Sequence, residues 1–193
     1  MQTLVFATHN VHKAREIEQI LGPDFTVMTL RDIGQEEEIP ETADTLEGNS
    51  VLKAHFVRQK YGYDCFSEDT GLEVEALNGA PGVHTARYAG ERRDPEENIQ
   101  LLLANLANHS NRRARFRTII TLSIGEKEIL LEGICTGKIA LEKQGTGGFG
   151  YDPVFIPDGY EQTFAELGDE IKNQISHRGK ATRKLIEALQ NPI

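Results

Sequence analysis

The chain has 193 residues, a formal net charge of −9, 38% hydrophobic and 26% charged side chains, a size that suits one domain or two closely joined lobes. That apolar content fills an ordinary core and excludes a disordered acidic chain, while the acidic balance argues against broad adhesion to nucleic acid, which needs clustered cations over an extended surface. No window approaches the roughly 18 to 20 apolar residues of a membrane span, and no basic region followed by an apolar core and cleavage site opens the chain, so a cytoplasmic globular protein with neither a membrane nor a nucleic-acid partner is expected.

The pattern alternates strands and helices from the start. Leu4 to Ala7 reads as a strand, and Ala14, Ile17, Ile20 and Leu21 then recur at helical spacing until Gly22-Pro23 stops the helix. A second strand is expected across Phe25 to Leu30, then an acidic loop from Glu36 to Glu41, then a helix from about Thr45 to Tyr61 with Leu46, Ser50, Ala54, Val57 and Tyr61 on one face. Cys65 to Ser67 forms a short strand, Glu68-Asp69-Thr70-Gly71 a polar turn, and Leu72 to Leu77 a further apolar stretch. Residues 78–93 read as a Gly-rich loop. Asp94, Pro95 and Glu97 supply a helix cap, a first-position proline and a box partner for a helix presenting Ile99, Leu102, Leu103 and Leu106. A long hairpin follows, with Phe116, Ile120, Leu122 and Ile124 on one arm and Ile129 and Leu131 beyond Gly125-Glu126. The basic run Arg112, Arg113, Arg115 and Arg117 opens that hairpin and reads as a solvated or sheet-edge segment. Gly145 to Gly150 is a glycine-rich loop before the short apolar run Val154 to Ile156, and a last helix starts near Arg178 with Ala181, Leu185, Ile186 and Leu189. Cys65 and Cys135, the only cysteines, have no CxxC spacing and read as buried free thiols. No repeat or linker divides the chain, so residues 1–193 are expected to form a single domain of mixed α/β class with a hairpin-rich second lobe.

Four constellations could carry chemistry. Thr8-His9-Asn10-Val11-His12-Lys13 lies where a strand ends and a helix begins, so free N–H groups, the positive end of the helix dipole and a lysine converge on a natural phosphate site; a plain Asn10 cap reads equally well. Glu68-Asp69, with Glu41 upstream after a proline and Lys53 on the intervening helix, gathers carboxylates that repel unless a cation lies between them. A hard divalent ion with oxygen ligands relieves that repulsion and makes Mg²⁺ the economical inference, with a remaining carboxylate to orient or deprotonate water; an Asp-Thr-Gly turn is the plainer alternative. Gly147-Gly148-Phe149-Gly150-Tyr151-Asp152-Pro153 can lay a ring against a planar base while its glycines admit close backbone approach, or can simply connect a hairpin. Lys172-Asn173 and Ser176-His177-Arg178-Gly179 stand at the mouth of the last helix, where Ser176 suits an N-cap and His177 and Arg178 could donate to a carbonyl oxygen on a base edge.

Taken together, Thr8-x-Asn10-x-x-Lys13, Gly48-Asn49 to Lys53-Ala54, Glu68-Asp69-Thr70-Gly71-Leu72, Ala86-Arg87-Tyr88-Ala89-Gly90, Gly148 to Pro153 and Ser176-His177-Arg178-Gly179 make a chain that resembles the inosine triphosphate pyrophosphatase family nearly end to end. The resemblance implies an elongated α/β fold with a mixed twisted sheet, flanking helices and two lobes around a nucleotide cleft, usually in a homodimer. It implies Mg²⁺-dependent hydrolysis of deaminated purine nucleoside triphosphates, namely ITP, dITP and XTP, to monophosphate and pyrophosphate, which cleanses the nucleotide pool. Carried over by position, Thr8, Asn10 and Lys13 would hold phosphates, with His9 in the same substrate-binding run and Lys53 in the phosphate region. Glu41 and Asp69 would be the metal carboxylates, Asp69 also the general base, with Glu68 supporting the cluster and Lys53 counted with the catalytic set. Thr70 would touch substrate and Phe149 would stack on the base within the run Phe149, Gly150, Tyr151 and Asp152, while Asp152, Lys172, His177 and Arg178 would line the base pocket. Thr70 stands where many relatives have Ser, which keeps the hydroxyl, and Ile171 stands where an acidic residue is common. Three other readings compete. A related pyrophosphatase for pyrimidine or methylated nucleotides would need a different base pocket. A catalytically idle nucleotide-binding regulator would be expected to have lost Asp69 or Lys13, and both are present. A nucleic-acid module is at odds with the acidic charge.

Overall fold

A computed structural model describes residues 2–190. In chain order the elements are β1 (Gln2–Phe6), α1 (Val11–Leu21), β2 (Phe25–Thr29), α2 (Leu46–Tyr61), β3 (Cys65–Val74), β4 (Pro81–Gly82), α3 (Pro95–Asn105), β5 (Arg113–Ile124), β6 (Lys127–Ile139), β7 (Phe155–Pro157), α4 (Phe164–Ile175) and α5 (His177–Gln190). The mixed sheet runs β2-β1-β3-β5-β6-β7, and β4 pairs with β3. The chain divides into two compact units. The first takes the chain through Asp69, then Thr118–Gly133, and resumes at Arg178; the second takes Thr70–Arg117 and Ile134–His177.

In the first unit β1 is parallel to both neighbours, with Leu4 opposite Val27 of β2 and Val5 opposite Cys65 of β3. A strand sends alternate side chains to opposite faces, and both faces here are covered, so the uninterrupted apolar run of β1 is the pattern a parallel strand requires. Leu4 and Phe6 pack with Ala14, Ile17 and Leu21 of α1 and Ala181 and Leu185 of α5. Val5 and Ala7 pack the other way, against Ala54 and Val57 of α2. The Phe6 and Phe66 rings stack with centroids 4.5 Å apart. Ile17, Phe66 and Leu185 are fully buried, each a gain of about 1.5 to 3 kcal/mol over exposure.

A buried polar seam crosses this unit. Ser50 Oγ lies 3.0 Å from Ser67 Oγ and 2.8 Å from Thr121 Oγ1, and Ser67 Oγ donates to the Ser50 carbonyl at 2.5 Å. Each hydroxyl meets a partner, so the seam fixes α2 against β3 and β5 without leaving a desolvated group unpaired. Its value to the site is positional. Lys53 follows Ser50 by one helical turn, and Asp69 follows Ser67 by two strand positions on the same face.

The second unit has its own core, in which Leu72, Leu102, Leu106, Phe116, Phe155 and Phe164 meet. Phe155 lies 4.7 Å from Phe116 and 5.2 Å from Phe164, centroid to centroid. β6 and β7 pair antiparallel with Lys138 opposite Ile156. The arginine run ends in acids and carbonyls. Arg113 pairs with Asp158, Arg115 and Arg117 with Glu73, and Arg112 donates to the carbonyls of Leu106, Ile139 and Ala140. The segment is thus a neutralised strand start and not a free basic stripe.

Three sequence expectations need correction. Glu68-Asp69-Thr70-Gly71 is not a turn but the middle of one continuous strand, β3; ion pairs described below let two buried carboxylates occupy a strand interior. The helix α4 was not expected at all, because Gly168, with φ +78°, interrupts it. Its start was nevertheless written in the sequence: the Glu166 carboxylate accepts the Thr163 N–H at 2.8 Å, the S/T-x-x-E pattern of a capped helix. Residues 78–93 hold more order than a loop, with β4 and a 3-10 turn at Thr85–Arg87. At α3, Asp94 caps the N–H groups of Glu96 and Glu97 as expected, while the Glu97 carboxylate goes to Arg92.

Candidate active site

Every charged candidate up to Asp69 falls in the first unit, together with Arg178. Asn10 caps α1 by accepting the His12 and Lys13 N–H groups at 3.0 and 3.1 Å, and Thr8 Oγ1 accepts the Asn10 N–H at 3.0 Å. The acceptor oxygens of both side chains build the turn, and the turn presents Lys13 from the first turn of the helix. Its ammonium lies 3.2 Å from Glu68 Oε1. His9 is half-buried, with Nε2 3.1 Å from the Glu37 carbonyl.

Glu68, with its side chain fully buried, is held by a fork. Arg178 donates from Nε to Oε2 at 2.7 Å and from Nη2 to Oε1 at 2.9 Å, while its Nη1 donates to Glu16. Burial works against the guanidinium charge, but the carboxylates of Glu68 and Glu16 more than offset it and hold its pKa above the ordinary arginine value. Bidentate geometry fixes the plane and direction of the Glu68 carboxylate as a single contact would not. Arg178, expected at the base, thus has all three guanidinium nitrogens directed at acids. Glu16, three residues beyond Lys13 on α1, is a site residue that sequence reasoning missed. Its signal was a carboxylate at a position of α1 that is otherwise apolar, beside Ile17.

The next strand position, Asp69, meets Lys53, whose Nζ lies 3.1 Å from Asp69 Oδ1 and 2.6 Å from Glu41 Oε1. Burial is the strongest influence on Asp69 and pushes its carboxyl above the usual range, against the pull of Lys53 and Lys13. Burial likewise opposes the Lys53 ammonium, but Asp69 and Glu41 outweigh it and hold its pKa above the ordinary lysine value. The loop carrying Glu41 is tied down by Asn49, whose Oδ1 accepts the Ala43 N–H at 2.9 Å. Gly48 makes that approach possible, since a Cβ there would fall 2.6 Å from the Ala43 Cβ. The Gly48-Asn49 pair is therefore a clamp for the Glu41 loop, a role the sequence reading left unassigned.

In the second unit the loop from Gly145 folds onto the start of α4. A Cβ on Gly145 or Gly147 would fall 2.8 Å from backbone atoms of Ala165. Asp152 is buried, and its Oδ2 accepts the Phe149 N–H at 2.8 Å and the Lys172 ammonium at 2.5 Å. The same ammonium stands 4.7 Å over the Phe149 ring, a cation–π contact that helps fix the ring's orientation. Tyr151 belongs to the core, its hydroxyl donating to the Thr85 carbonyl at 2.8 Å, and burial pushes its phenol pKa upward. Thr70 is half-buried within β3, Gly150 takes φ +59° beside the ring, and His177 stacks on Phe116 at 4.4 Å. Thus the glycines of this loop serve close protein packing as well as the access expected of them. Gly148 is the tightest: its φ is +72° and a Cβ would fall 2.1 Å from Asp152 Oδ2. Gly148→Ala is expected to dislodge Asp152 from Phe149 and Lys172 and to raise the KM for nucleotide several-fold with less change in kcat. An unchanged KM would show that base binding does not need this clamp.

Among the described residues no three His, Cys, Asp or Glu side chains converge as a ready metal centre. The donors nevertheless suit a hard cation. Glu41 and Asp69 offer carboxylate oxygens, and a positive ammonium already lies between them.

Comparison with known proteins follows the same lines. The family model described as "Ham1 family" matches residues 4–188. A dITP/XTP pyrophosphatase of Flavobacterium johnsoniae is 54% identical over 186 residues, covering 96% of this chain and 97% of the relative. Another from Flavobacterium psychrophilum is 54% identical over 188 residues, covering 97% and 99%. Among solved structures, the Staphylococcus aureus Ham1 protein superposes with a TM-score of 0.89 at 37% identity, covering 98% of each chain. No helix of the described residues is long and apolar enough to cross a membrane. With a family model over nearly the whole chain and relatives named dITP/XTP pyrophosphatase at 54% identity, this chain belongs to the Ham1 family.

Proposed function

We propose that this protein hydrolyses deaminated purine nucleoside triphosphates, ITP, dITP and XTP, to the monophosphate and pyrophosphate with Mg²⁺. The observation that carries the reading is the buried cluster of the first unit, where Asp69 and Glu68 each face a lysine, joined to a family whose relatives bear the name dITP/XTP pyrophosphatase. Lys13 and Lys53 supply cations for the phosphates, with the capped turn of Thr8, His9 and Asn10 beside Lys13. Glu41 and Asp69 are the carboxylates to hold Mg²⁺, which when bound offsets charge on phosphate oxygens. Asp69, raised by burial, has the stronger affinity for a proton that a general base needs, and it takes the proton of the attacking water. Glu68, fixed by Arg178, keeps Lys13 in place.

Base recognition falls to the second unit. Phe149 stacks on the purine while Lys172 and Asp152 hold the ring in position, with Thr70, Gly150, Tyr151 and His177 completing the binding set. Hypoxanthine and xanthine carry an oxygen at C6 where adenine carries an amino group. Donors placed for that oxygen are satisfied by the former and left unmet by the latter, a difference of about 1 to 3 kcal/mol, or roughly 10 to 100 fold. A cytoplasmic homodimer belongs to the same reading.

The test is a panel of ITP, XTP, GTP, ATP and UTP, each with Mg²⁺, following monophosphate and pyrophosphate. Pyrophosphate from ITP and XTP far ahead of the rest supports the assignment. Preference for UTP or GTP moves it to another nucleotide class, and tight ITP binding without turnover makes the protein a regulator.

A further inference from the structure

Lys53 touches both carboxylates assigned to the metal. Its Nζ is 2.6 Å from Glu41 Oε1 and 3.1 Å from Asp69 Oδ1, on a side chain only 9% exposed. The placement is built into the fold: Ser50, one turn earlier, is locked to β3 and β5, and Asn49 clamps the Glu41 loop. Lys13 stands on Glu68 in the same way. The cluster as a whole sets Lys13, Lys53 and Arg178 against Glu16, Glu41, Glu68 and Asp69, so each cation is already committed to an acid before any ligand arrives.

We propose that the Lys53 ammonium is a stand-in for the divalent cation, holding Glu41 and Asp69 together in the free protein and competing with metal for them until a polyphosphate draws the ammonium away. The inference rests on the reading of Glu41 and Asp69 as metal carboxylates. A divalent ion entering the free protein must break two charge-assisted hydrogen bonds and then share a buried site with an ammonium, where like charges repel strongly. The nucleotide changes both terms. Its phosphates offer Lys53 a second anion, and the flexible four-carbon stem lets the ammonium move to it while α2 stays fixed. Metal and nucleotide therefore bind with positive coupling, and each raises the affinity of the other by the same factor. The arrangement also keeps Asp69 paired when no substrate is present, since a buried carboxylate stripped of its cation is costly.

The test is direct binding of Mn²⁺, as a spectroscopic substitute for Mg²⁺, to the free protein in the absence of nucleotide. Wild type should bind weakly, Lys53→Met more tightly by about tenfold or more, since the repelling charge is gone, and Lys53→Arg, which keeps a cation, as weakly as wild type. Adding Glu41→Gln to Lys53→Met should abolish the gain. If Lys53→Met binds Mn²⁺ no better than wild type while Glu41→Gln weakens binding, the stand-in role falls and the metal carboxylates survive. If the gain persists without Glu41, the metal is held elsewhere and both readings fall. Because Lys53→Met takes a cation from two acids and could unfold the protein, wild type supplies a second readout. Saturating Mg²⁺ should speed acetylation of Lys53 by acetic anhydride several-fold relative to the exposed Lys127, as the ammonium is released. An unchanged ratio would overturn the proposal.

Discussion

Asp69→Asn should lower the rate of pyrophosphate release from dITP by about 10² to 10⁴ fold while the protein remains folded. The substitution keeps the shape of the side chain and an oxygen that can still accept from Lys53, 3.1 Å away, so the polar seam and α2 need not move. What it removes is the negative charge of the carboxylate proposed both to accept the proton and, with Glu41, to hold Mg²⁺. Burial, the strongest influence on this group, already raises its proton affinity, and the neighbouring Glu68 is tied to Arg178 and Lys13. The measurement is a coupled pyrophosphate assay beside a thermal melt. Wild-type turnover in a folded Asp69→Asn variant would remove Asp69 from the chemistry.

Arg178→Ala should have the largest effect on stability, a loss of about 3 to 5 kcal/mol. The guanidinium is 2% exposed and neutralises Glu68 and Glu16 together, so its removal leaves two carboxylates without their main cation. Urea denaturation should show the midpoint falling sharply, and Arg178→Lys should recover only part of the loss, because one ammonium cannot reproduce three directed N–H contacts. The same variant separates two roles in catalysis. Direct donation to the C6 oxygen of the base predicts a greater loss on inosine substrates than on background ATP turnover. Action through Glu68 and Lys13 predicts equal losses on both, because the phosphates are common to the two.

These effects depend on contacts that were legible to different degrees. The strand Leu4 to Ala7, the helix ended by Gly22-Pro23, the helix from about Thr45 to Tyr61 and the hairpin turn at Gly125-Glu126 were readable because each is set by neighbours a few residues away. The strand through Glu68 and Asp69 was misread as a turn for the opposite reason. Two adjacent acids oppose burial unless their cations are counted, and those cations come from Lys13, Lys53 and Arg178, the last of them 110 residues distant from Glu68. Helix α4 was missed because Gly168 breaks its period, although Thr163 and Glu166 marked its start.

By itself the sequence determined the mixed α/β class, the order of most elements and the family, through six ordered motifs that carry local instructions: a cap at Asn10, a close approach at Gly48, a left-handed turn at Gly148. It also offered most of the candidate side chains, Glu16 excepted, since residue type fixes charge and hydrogen-bonding capacity. Only the tertiary structure decided their partners. Arg178 forks Glu68 and reaches Glu16, Lys53 bridges Glu41 and Asp69, and Lys172 joins Asp152 to the face of Phe149. The physical reason is that a buried charge is tolerable only beside its opposite, and the chain must fold before residues far apart in sequence can meet that condition.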